Sequence, residues 1–150
     1  MLAVCTKEKK EKMNRIPTVG IVVLKDKSVL LVKHGEKAGH ITGSYGTPGG
    51  RIDQGETPVQ AAKRELEEES GLFVREEDLT ELPKKYDADL ARKDGSILSV
   101  HHTMFVCNKF DGALRGTQET TPEWVPIKKL HEMELLQNTE DMVKQAQENL

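Results

Sequence analysis

The sequence predicts an α/β protein, an α/β/α sandwich with a central mixed β-sheet. Strand-like segments lie both before and after one well-delimited helix, and two helical segments close the chain. The length of 150 residues suits a single domain with its own hydrophobic core. Hydrophobic residues make up 36% of the chain and charged residues 31%, which is ordinary for a globular protein.

The first part of the predicted sheet is a hairpin followed by a loop. Residues 18–25 are nearly all apolar and rich in β-branched side chains, so we expect a buried strand there. Residues 28–34 follow as its hairpin partner after the Asp26-Lys27 turn. Residues 35–46 are polar and rich in glycine, and this loop is long enough to carry functional groups.

The central helix has clear limits in the sequence. Thr57 is a typical N-cap, Pro58 suits the first helical position, and Gln60 completes a capping box. Gly71 can adopt the left-handed conformation that ends a helix. The sequence therefore predicts a helix between positions 57 and 71.

The second half is expected to supply the other strands and the closing helices. The strand-like runs are residues 72–74, 86–90, 96–110 and 124–127. The run 96–110 is the longest, so we predict a central strand that breaks at Asp111-Gly112. Residues 75–83 are expected to form a charged connection. Helices are predicted over 128–136 and 139–150, the last capped by Asn138 or Thr139.

Composition and charge argue against several classes of function. The net charge of −3 provides no general attraction for nucleic acid. No apolar run approaches the ~18 residues of a membrane span, and residues 1–15 lack the apolar core of a signal peptide. We expect a cytoplasmic protein without membrane or nucleic-acid partners, with residues 1–15 as a flexible tail and 16–150 as one domain.

Two cysteines, Cys5 and Cys107, form no CxxC pair and have no nearby histidine at zinc spacing. Reduced thiols in an intracellular protein are the simple interpretation, with a structural disulfide as the less favoured alternative.

The central helix carries an unusual cluster of acids. Glu65, Glu68 and Glu69 lie at i, i+3 and i+4, beside the apolar stripe of Val59, Ala62 and Leu66. Like charges at this spacing destabilise a helix by a few tenths of a kcal/mol per pair. A hard divalent cation such as Mg²⁺ would remove the repulsion, since it prefers carboxylate and water oxygens. The alternative is a solvated acidic face without a role.

The loop before the helix does not match the glycine loops that bind phosphate through their backbone amides. Gly50 and Gly55 have the spacing of a P-loop, but Glu56 stands where lysine is required. A glycine loop followed by acids indicates phosphate bound through metal.

Residues 50–72 resemble the Nudix box, which is a glycine, five residues, Glu, seven residues, Arg-Glu-aliphatic, one residue, Glu-Glu, one residue, Gly-aliphatic. All nine specified positions match: Gly50, Glu56, Arg64, Glu65, Leu66, Glu68, Glu69, Gly71 and Leu72. The flanking segments Thr47-Pro48-Gly49 and Pro122–Pro126 also look like those of Nudix hydrolases. The resemblance is therefore specific and extends over most of the chain.

The resemblance implies the Nudix fold and an enzyme that uses Mg²⁺, or Mn²⁺ in its place. Glu65 and Glu69 should be metal ligands, with the Gly49 carbonyl as a further ligand and Glu68 in or just outside the ligand set. Glu56 and Arg64 should pair, and Gly50, Glu56 and Gly71 should be structural. The general base varies within the family, and the candidates here are Glu65 and Glu119.

Several further residues near the box are candidates for substrate contacts: Lys33, His34, Tyr45 and Arg51. Solvated charge, loop histidines and core packing are the plain alternatives. His101 and His102 are adjacent on a predicted strand, so they should point to opposite faces and cannot chelate together.

The resemblance implies hydrolysis of a nucleoside diphosphate linked to another group. We favour a MutT-like enzyme that converts a nucleoside triphosphate to the monophosphate and pyrophosphate. ADP-ribose or nucleotide-sugar hydrolysis and dinucleoside polyphosphate hydrolysis are alternatives, but their markers match poorly at Pro83 and Tyr86. A non-catalytic nucleotide-binding or regulatory module is the alternative of another class. Family members are often dimers, so a homodimer is expected.

Overall fold

The computed structural model describes residues 14–150, which contain ten strands and two α-helices. The strands are β1 (Ile16–Lys25), β2 (Ser28–His34), β3 (Tyr45–Gly46), β4 (Gly49–Arg51), β5 (Leu72–Phe73), β6 (Thr80–Glu81), β7 (Tyr86–Ala91), β8 (Ile97–Cys107), β9 (Asp111–Gly112) and β10 (Thr120–Pro126). The helices are α1 (Pro58–Ser70) and α2 (Thr139–Glu148), with 3₁₀ turns at Glu76–Asp78 and Ile127–Glu132.

The main sheet is mixed, as predicted. Its order is β10-β2-β1-β8-β6, and β7 also pairs with β8. β1 and β8 run parallel, whereas the other pairs are antiparallel. The long strand β8 lies between β1 and the β6 and β7 edge, which confirms the prediction of a central strand.

Helices cover both faces of this sheet. Alternate side chains of β1 enter different layers, because successive residues of a strand point to opposite faces. Val19, Ile21 and Val23 pack with the α1 residues Ala62 and Leu66. The other layer contains Val22, Leu24, Met142, Val143 and Ala146. The α/β/α sandwich is therefore confirmed, with one apolar core on each face.

Strands β1 and β2 diverge, and their divergence opens a cleft. They pair with each other only at Leu24–Val29 and Lys25–Ser28, next to the hairpin turn. Farther from the turn, β1 pairs with β4 and β2 pairs with β3. The two short strands therefore occupy the space between the arms of the hairpin.

Helix α1 begins and ends as its sequence predicts. The Thr57 hydroxyl accepts a hydrogen bond from the Gln60 backbone N–H at 3.3 Å, and the Gln60 side chain accepts one from the Thr57 N–H at 3.0 Å. Gly71 follows the helix with φ of 82°, a left-handed conformation that favours glycine. Helix α2 is capped differently, since Asn138 precedes it without a side-chain capping bond.

The predicted helix over 128–136 is wrong. A 3₁₀ helix ends at Glu132, and the following residues extend along β3. The Tyr45 N–H donates to the Glu134 carbonyl and the Leu136 N–H donates to the Tyr45 carbonyl, both at 2.8 Å. These bonds to a distant strand replace the local bonds that a longer helix would need.

Several strand predictions also differ from the structure, including the ends of β1, β8 and β10. β10 begins at Thr120 rather than 124, because it pairs with β2 through polar residues that show no apolar alternation. The connection 75–83 contains the short strand β6, and the predicted break at Asp111-Gly112 pairs with β5. In each case the pairing partner is remote in sequence.

The start of the domain is tied to the sheet at Arg15. Its guanidinium donates to the Ala88 carbonyl and to the Asp89 carboxylate, both at 3.0 Å. Residues 1–13 of the predicted tail, including Cys5, lie outside the described residues, so the tail and domain limits remain predictions. Cys107 is free and buried. No helix of the described part is long and apolar enough to cross a membrane.

Candidate active site

The cleft between the diverging strands has a volume of about 630 Å³ and two chemically different ends. One end carries the acids of α1 together with β4, and the other is lined by apolar side chains, imidazoles and the Arg92 guanidinium. The acidic end contains Gly49, Gly50, Arg51, Glu65, Glu68 and Glu69. The other end contains His34, His40, Leu90, Arg92, Leu98, Val100, His102, Leu136 and Met142.

Two glycines of β4 make room for the acids. A Cβ atom on Gly50 would lie 2.5 Å from a carboxylate oxygen of Glu65, so any side chain here would displace that carboxylate. Gly49 lies directly against the β1 backbone, and its N–H donates to Glu69 Oε1 at 3.0 Å. The glycine pair therefore lets the α1 carboxylates reach the cleft beside the strand.

Glu65 and Glu69 form a largely buried carboxyl pair. Burial raises the pKa of Glu69 to about 8, although the Gly49 N–H favours its ionised form, and the charge of Glu65 adds to the rise. Burial also raises the pKa of Glu65, against the effect of the neighbouring Arg64. Without a cation, this pair is unfavourable to ionise. Its chemistry fits a hard divalent cation held between carboxylate oxygens.

Arg64 organises the loop and the helix around this pair. Its guanidinium contacts Glu56 through two bonds of 2.6 and 2.9 Å, which confirms the predicted pairing. It also donates to the Arg51 carbonyl at 3.0 Å and to Glu65 at 2.9 Å. The Arg64 hydrogen bond lowers the pKa of Glu56 to about 2. Arg64 thus links the glycine loop to the carboxylate pair.

Glu68 lies apart from the pair in this structure. Its carboxylate is mainly exposed and accepts a bond from Arg64 at 3.2 Å. Within residues 14–150, no three His, Cys, Asp or Glu side chains already converge as a metal site. Glu68 must turn from Arg64 toward Glu65 and Glu69 if it is to join them.

Replacing Arg64 with Lys is expected to lower kcat/KM by about 10–100-fold, the usual effect of removing a group that orients a ligand. Lysine retains the charge but cannot make the forked contacts to Glu56 or hold Glu65 at the same time. Steady-state kinetics test this expectation, with Lys63→Arg on the same helix as the control. Activity within twofold of wild type would show that the forked contacts of Arg64 are unimportant for turnover.

The structure gathers most of the predicted site residues in one cleft. Glu119, His34 and Arg51 line it with the box glutamates. The Glu119 loop is shaped by Thr117, whose hydroxyl accepts from the Glu119 N–H at 3.1 Å, and the Glu119 carbonyl accepts from the Gly35 N–H at 2.8 Å. A candidate base thus stands in the same cleft as the acidic cluster.

Lys33 and Tyr45 lie elsewhere. They are paired neighbours on β2 and β3, and the Lys33 ammonium lies 5.8 Å from the centre of the Tyr45 ring. Neither lines the cleft, whereas the next residue, His34, does. Because side chains alternate along a strand, one residue separates the cleft face from the other. The cleft gives no support to a substrate role for this pair.

The imidazole end was not predicted as a unit. His34 and His40 have ring centres 4.8 Å apart, and burial lowers the pKa of both. His102 lines the cleft while His101 contacts Asp87 at 2.6 Å, which confirms that the two histidines point to opposite faces. These groups come from β2, its following loop and β8. No motif connects such distant segments, so sequence alone offered no signal for their association.

His102 is expected to make stability sensitive to acid. Burial lowers its folded-state pKa from 6.5 to about 4, so the unfolded chain takes up the proton first as pH falls. Stability present above pH 6.5 is therefore lost between pH 6.5 and 4, by about 3 kcal/mol. Urea unfolding of wild type and His102→Gln across this range should show the difference. The exposed His131→Gln control should follow wild type, and equal slopes for all three would contradict the expectation.

Comparison with known proteins agrees with this geometry. The NUDIX domain model matches residues 14–146. The chain is 30% identical over 127 residues to the oxidized purine nucleoside triphosphate hydrolase of Danio rerio, which is 78% of this chain and 69% of that protein. It is 29% identical over 110 residues to the ADP-ribose pyrophosphatase of Methanocaldococcus jannaschii, covering 72% of this chain. The match spans 60% of that archaeal protein, less than two thirds of its length.

A solved structure shows the same fold. The MutT NUDIX hydrolase from Burkholderia pseudomallei superposes with a TM-score of 0.74 at 24% identity. The superposition covers 88% of this chain and 98% of that one.

Proposed function

The chain belongs to the Nudix family, and we propose that it is a Mg²⁺-dependent pyrophosphohydrolase that cleaves a nucleoside diphosphate linked to another group. The main support for this proposal is the partly buried Glu65–Glu69 carboxyl pair, which lies against Gly49 and Gly50 at the wall of the cleft. A helix used only for packing gains nothing from two adjacent, partly buried acids.

Glu65, Glu69 and the Gly49 carbonyl are the groups that would hold the metal, and Glu68 would join them if it turned away from Arg64. When bound, a divalent cation neutralises phosphate charge and lowers the pKa of coordinated water. The chain itself contributes orientation. The Gly49 N–H fixes Glu69, and Arg64 fixes Glu65. Arg51 lies in the cleft, where its positive charge suits a phosphate.

Glu65 and Glu119 remain the two proposed general bases. Glu65 is held by Arg64 within the acidic cluster, and such a contact favours its ionised form. Glu119 is exposed on the cleft wall in a loop shaped by Thr117. Comparing the pH–rate profiles of Glu119→Gln and wild type separates them. Loss of the limb that reports the base assigns it to Glu119, and an unchanged profile excludes Glu119 and leaves Glu65 as the candidate.

A nucleoside triphosphate is the proposed substrate. The cleft volume suits one nucleotide, with the metal end for phosphates and the opposite end for the base. The Danio rerio relative is named for hydrolysis of an oxidized purine nucleoside triphosphate. ADP-ribose is the second candidate, because the archaeal relative is named for its hydrolysis.

A panel of nucleotides incubated with the protein and Mg²⁺ tests the function. We expect nucleoside monophosphate and pyrophosphate from at least one triphosphate, and no turnover in EDTA. Turnover of ADP-ribose alone would replace the proposed substrate. Tight nucleotide binding without turnover on any compound would favour the non-catalytic module.

We also propose that the protein is cytoplasmic and forms a homodimer. Analytical ultracentrifugation tests the dimer by measuring the mass of the particle in solution.

A further inference from the structure

Thr18 and His102 form a polar pair within the cleft. They are direct partners on the parallel strands β1 and β8. The Thr18 hydroxyl contacts His102 Nδ1 closely and also lies 3.3 Å from the His101 carbonyl. Thr18 is buried, with 4% of its surface exposed. The pair is therefore a fixed part of the cleft wall.

The hydrogen bonds of Thr18 assign the proton on the His102 ring. A carbonyl oxygen only accepts, so the single hydroxyl proton of Thr18 satisfies His101. With the hydroxyl proton on that carbonyl, His102 Nδ1 carries the ring proton and donates to the Thr18 oxygen. The opposite tautomer would leave the Thr18 oxygen facing the His101 carbonyl without a proton between them. The network thus favours an unprotonated Nε2.

Nε2 is available to a ligand. It makes no hydrogen bond to residues 14–150. A buried side-chain nitrogen without a partner occurs in that range at His40 Nδ1, and His102 Nε2 is not such a buried atom. His102 Nε2 is therefore not sealed by protein, and its residue lines the cleft. Burial lowers the pKa of His102 to about 4, so the imidazole is neutral at pH 7. A lone pair at this nitrogen is a hydrogen-bond acceptor.

The surroundings of this acceptor suit a flat ring. Arg92, His34 and His40 lie at the same end of the cleft, and apolar side chains form the rest of its lining: Leu90, Leu98, Val100, Leu136 and Met142. The acids that would hold metal and phosphate lie on α1 and beside β4. A nucleotide with its phosphates there can extend its base toward His102. The chemistry that matches an acceptor among apolar walls is an amino group on a heterocycle.

We propose that His102 is a specificity-determining residue whose Nε2 accepts a hydrogen bond from the exocyclic amino group of a purine base, and that Thr18 is the positioning residue that sets its tautomer. This proposal rests on the proposed function, since it places a nucleotide in the same cleft. It adds a rule of selection, namely that a purine bearing an amino group is preferred over the same purine without it.

NMR tests the proposal independently of catalysis. Long-range ¹H–¹⁵N correlation of wild-type protein reads which nitrogen of His102 carries the proton, and we expect Nδ1. Titration with guanosine against inosine, and with adenosine against purine riboside, isolates one amino group in each pair. We expect the His102 Nε2 signal to shift with one amino-bearing nucleoside and not with its partner. A proton on Nε2, or equal responses within both pairs, would overturn the proposal.

Variants extend the test to turnover. Wild type should prefer the triphosphate of the amino-bearing purine by about tenfold in kcat/KM, the usual effect of one hydrogen bond. His102→Phe should reduce that ratio to about one, and Thr18→Val should reduce it while Thr18→Ser restores it. His101→Phe, the same change on the opposite face, should keep the ratio. An unchanged ratio in His102→Phe would contradict the role of His102, and an unchanged ratio in Thr18→Val would contradict the positioning role of Thr18.

The experiments distinguish failure of the proposed function from failure of the proposed role of His102. Absence of turnover on every nucleotide would refute the proposed function, but nucleoside titration requires no hydrolysis. Conversely, normal hydrolysis with no discrimination between the paired triphosphates would refute the role of His102 and leave the hydrolase intact. The wild-type NMR result holds even if a variant fails to fold.

Discussion

Replacing Glu69 with Gln is expected to lower kcat by a factor on the order of 10³ or more, equivalent to about 4 kcal/mol of lost transition-state stabilisation. Glutamine has nearly the same shape and keeps an oxygen for the Gly49 N–H, so the fold should persist. It has no negative charge for a cation. Steady-state turnover with Mg²⁺ and thermal unfolding are the measurements.

The control for this substitution is Glu67→Gln. Glu67 lies on the same helix but is exposed, and it is not among the residues that line the cleft. Both variants replace a carboxyl group of α1 with an amide, but Glu69 alone of the two lines the cleft, so only Glu69→Gln should lose turnover. Near-normal activity of Glu69→Gln would show that Glu69 is not a metal ligand.

Gly49→Ala is expected to destabilise the protein by about 3 kcal/mol, within the range for an overpacked site. The added Cβ would overlap the Val19 carbonyl and lie 2.9 Å from the Gly20 Cα. Both are backbone atoms of β1, so relief requires the β1–β4 pairing to open. Urea unfolding measures this loss, and a change below about 1 kcal/mol would contradict it.

Gly50→Ala is the matched variant, and we expect it to reduce turnover and leave stability nearly unchanged. Its Cβ would meet the Glu65 carboxylate, which is the end of a flexible side chain and can move. Stability should change by less than about 1 kcal/mol. Turnover should fall about 100-fold, since a misplaced catalytic group costs that much. Full activity in this variant would mean that the position of Glu65 is unimportant.

Those parts of the site that depend on neighbours in the chain could be predicted from sequence. The Thr57 cap, the Gly71 end and the Glu56–Arg64 pair all lie within residues 50–72, and the structure contains each of them. Helical geometry alone brings Glu65 beside Glu69. The α/β/α sandwich was also predictable, because apolar strands around an amphipathic helix leave few ways to bury both faces.

What could not be predicted depends on pairing between distant segments. Residues 134–136 extend because β3 offers them hydrogen bonds, although their local pattern is helical. His102 reaches the cleft because β8 runs parallel to β1, which places it opposite Thr18. Lys33 and Tyr45 were candidates for substrate contacts because of their residue types. The alternation of side chains along β2 and β3 places both away from the cleft. No local pattern carries that information.

The location of Mn²⁺ in crystals of the protein, read from its anomalous scattering, tests the metal site most directly. Mn²⁺ is the substitute expected for Mg²⁺ at such a site, and its signal identifies the ion without reference to activity. We predict an ion coordinated by the carboxylates of Glu65 and Glu69. Absence of Mn²⁺ from this pair at millimolar concentration, in protein that still hydrolyses nucleotide with the metal, would contradict a metal site at Glu65 and Glu69.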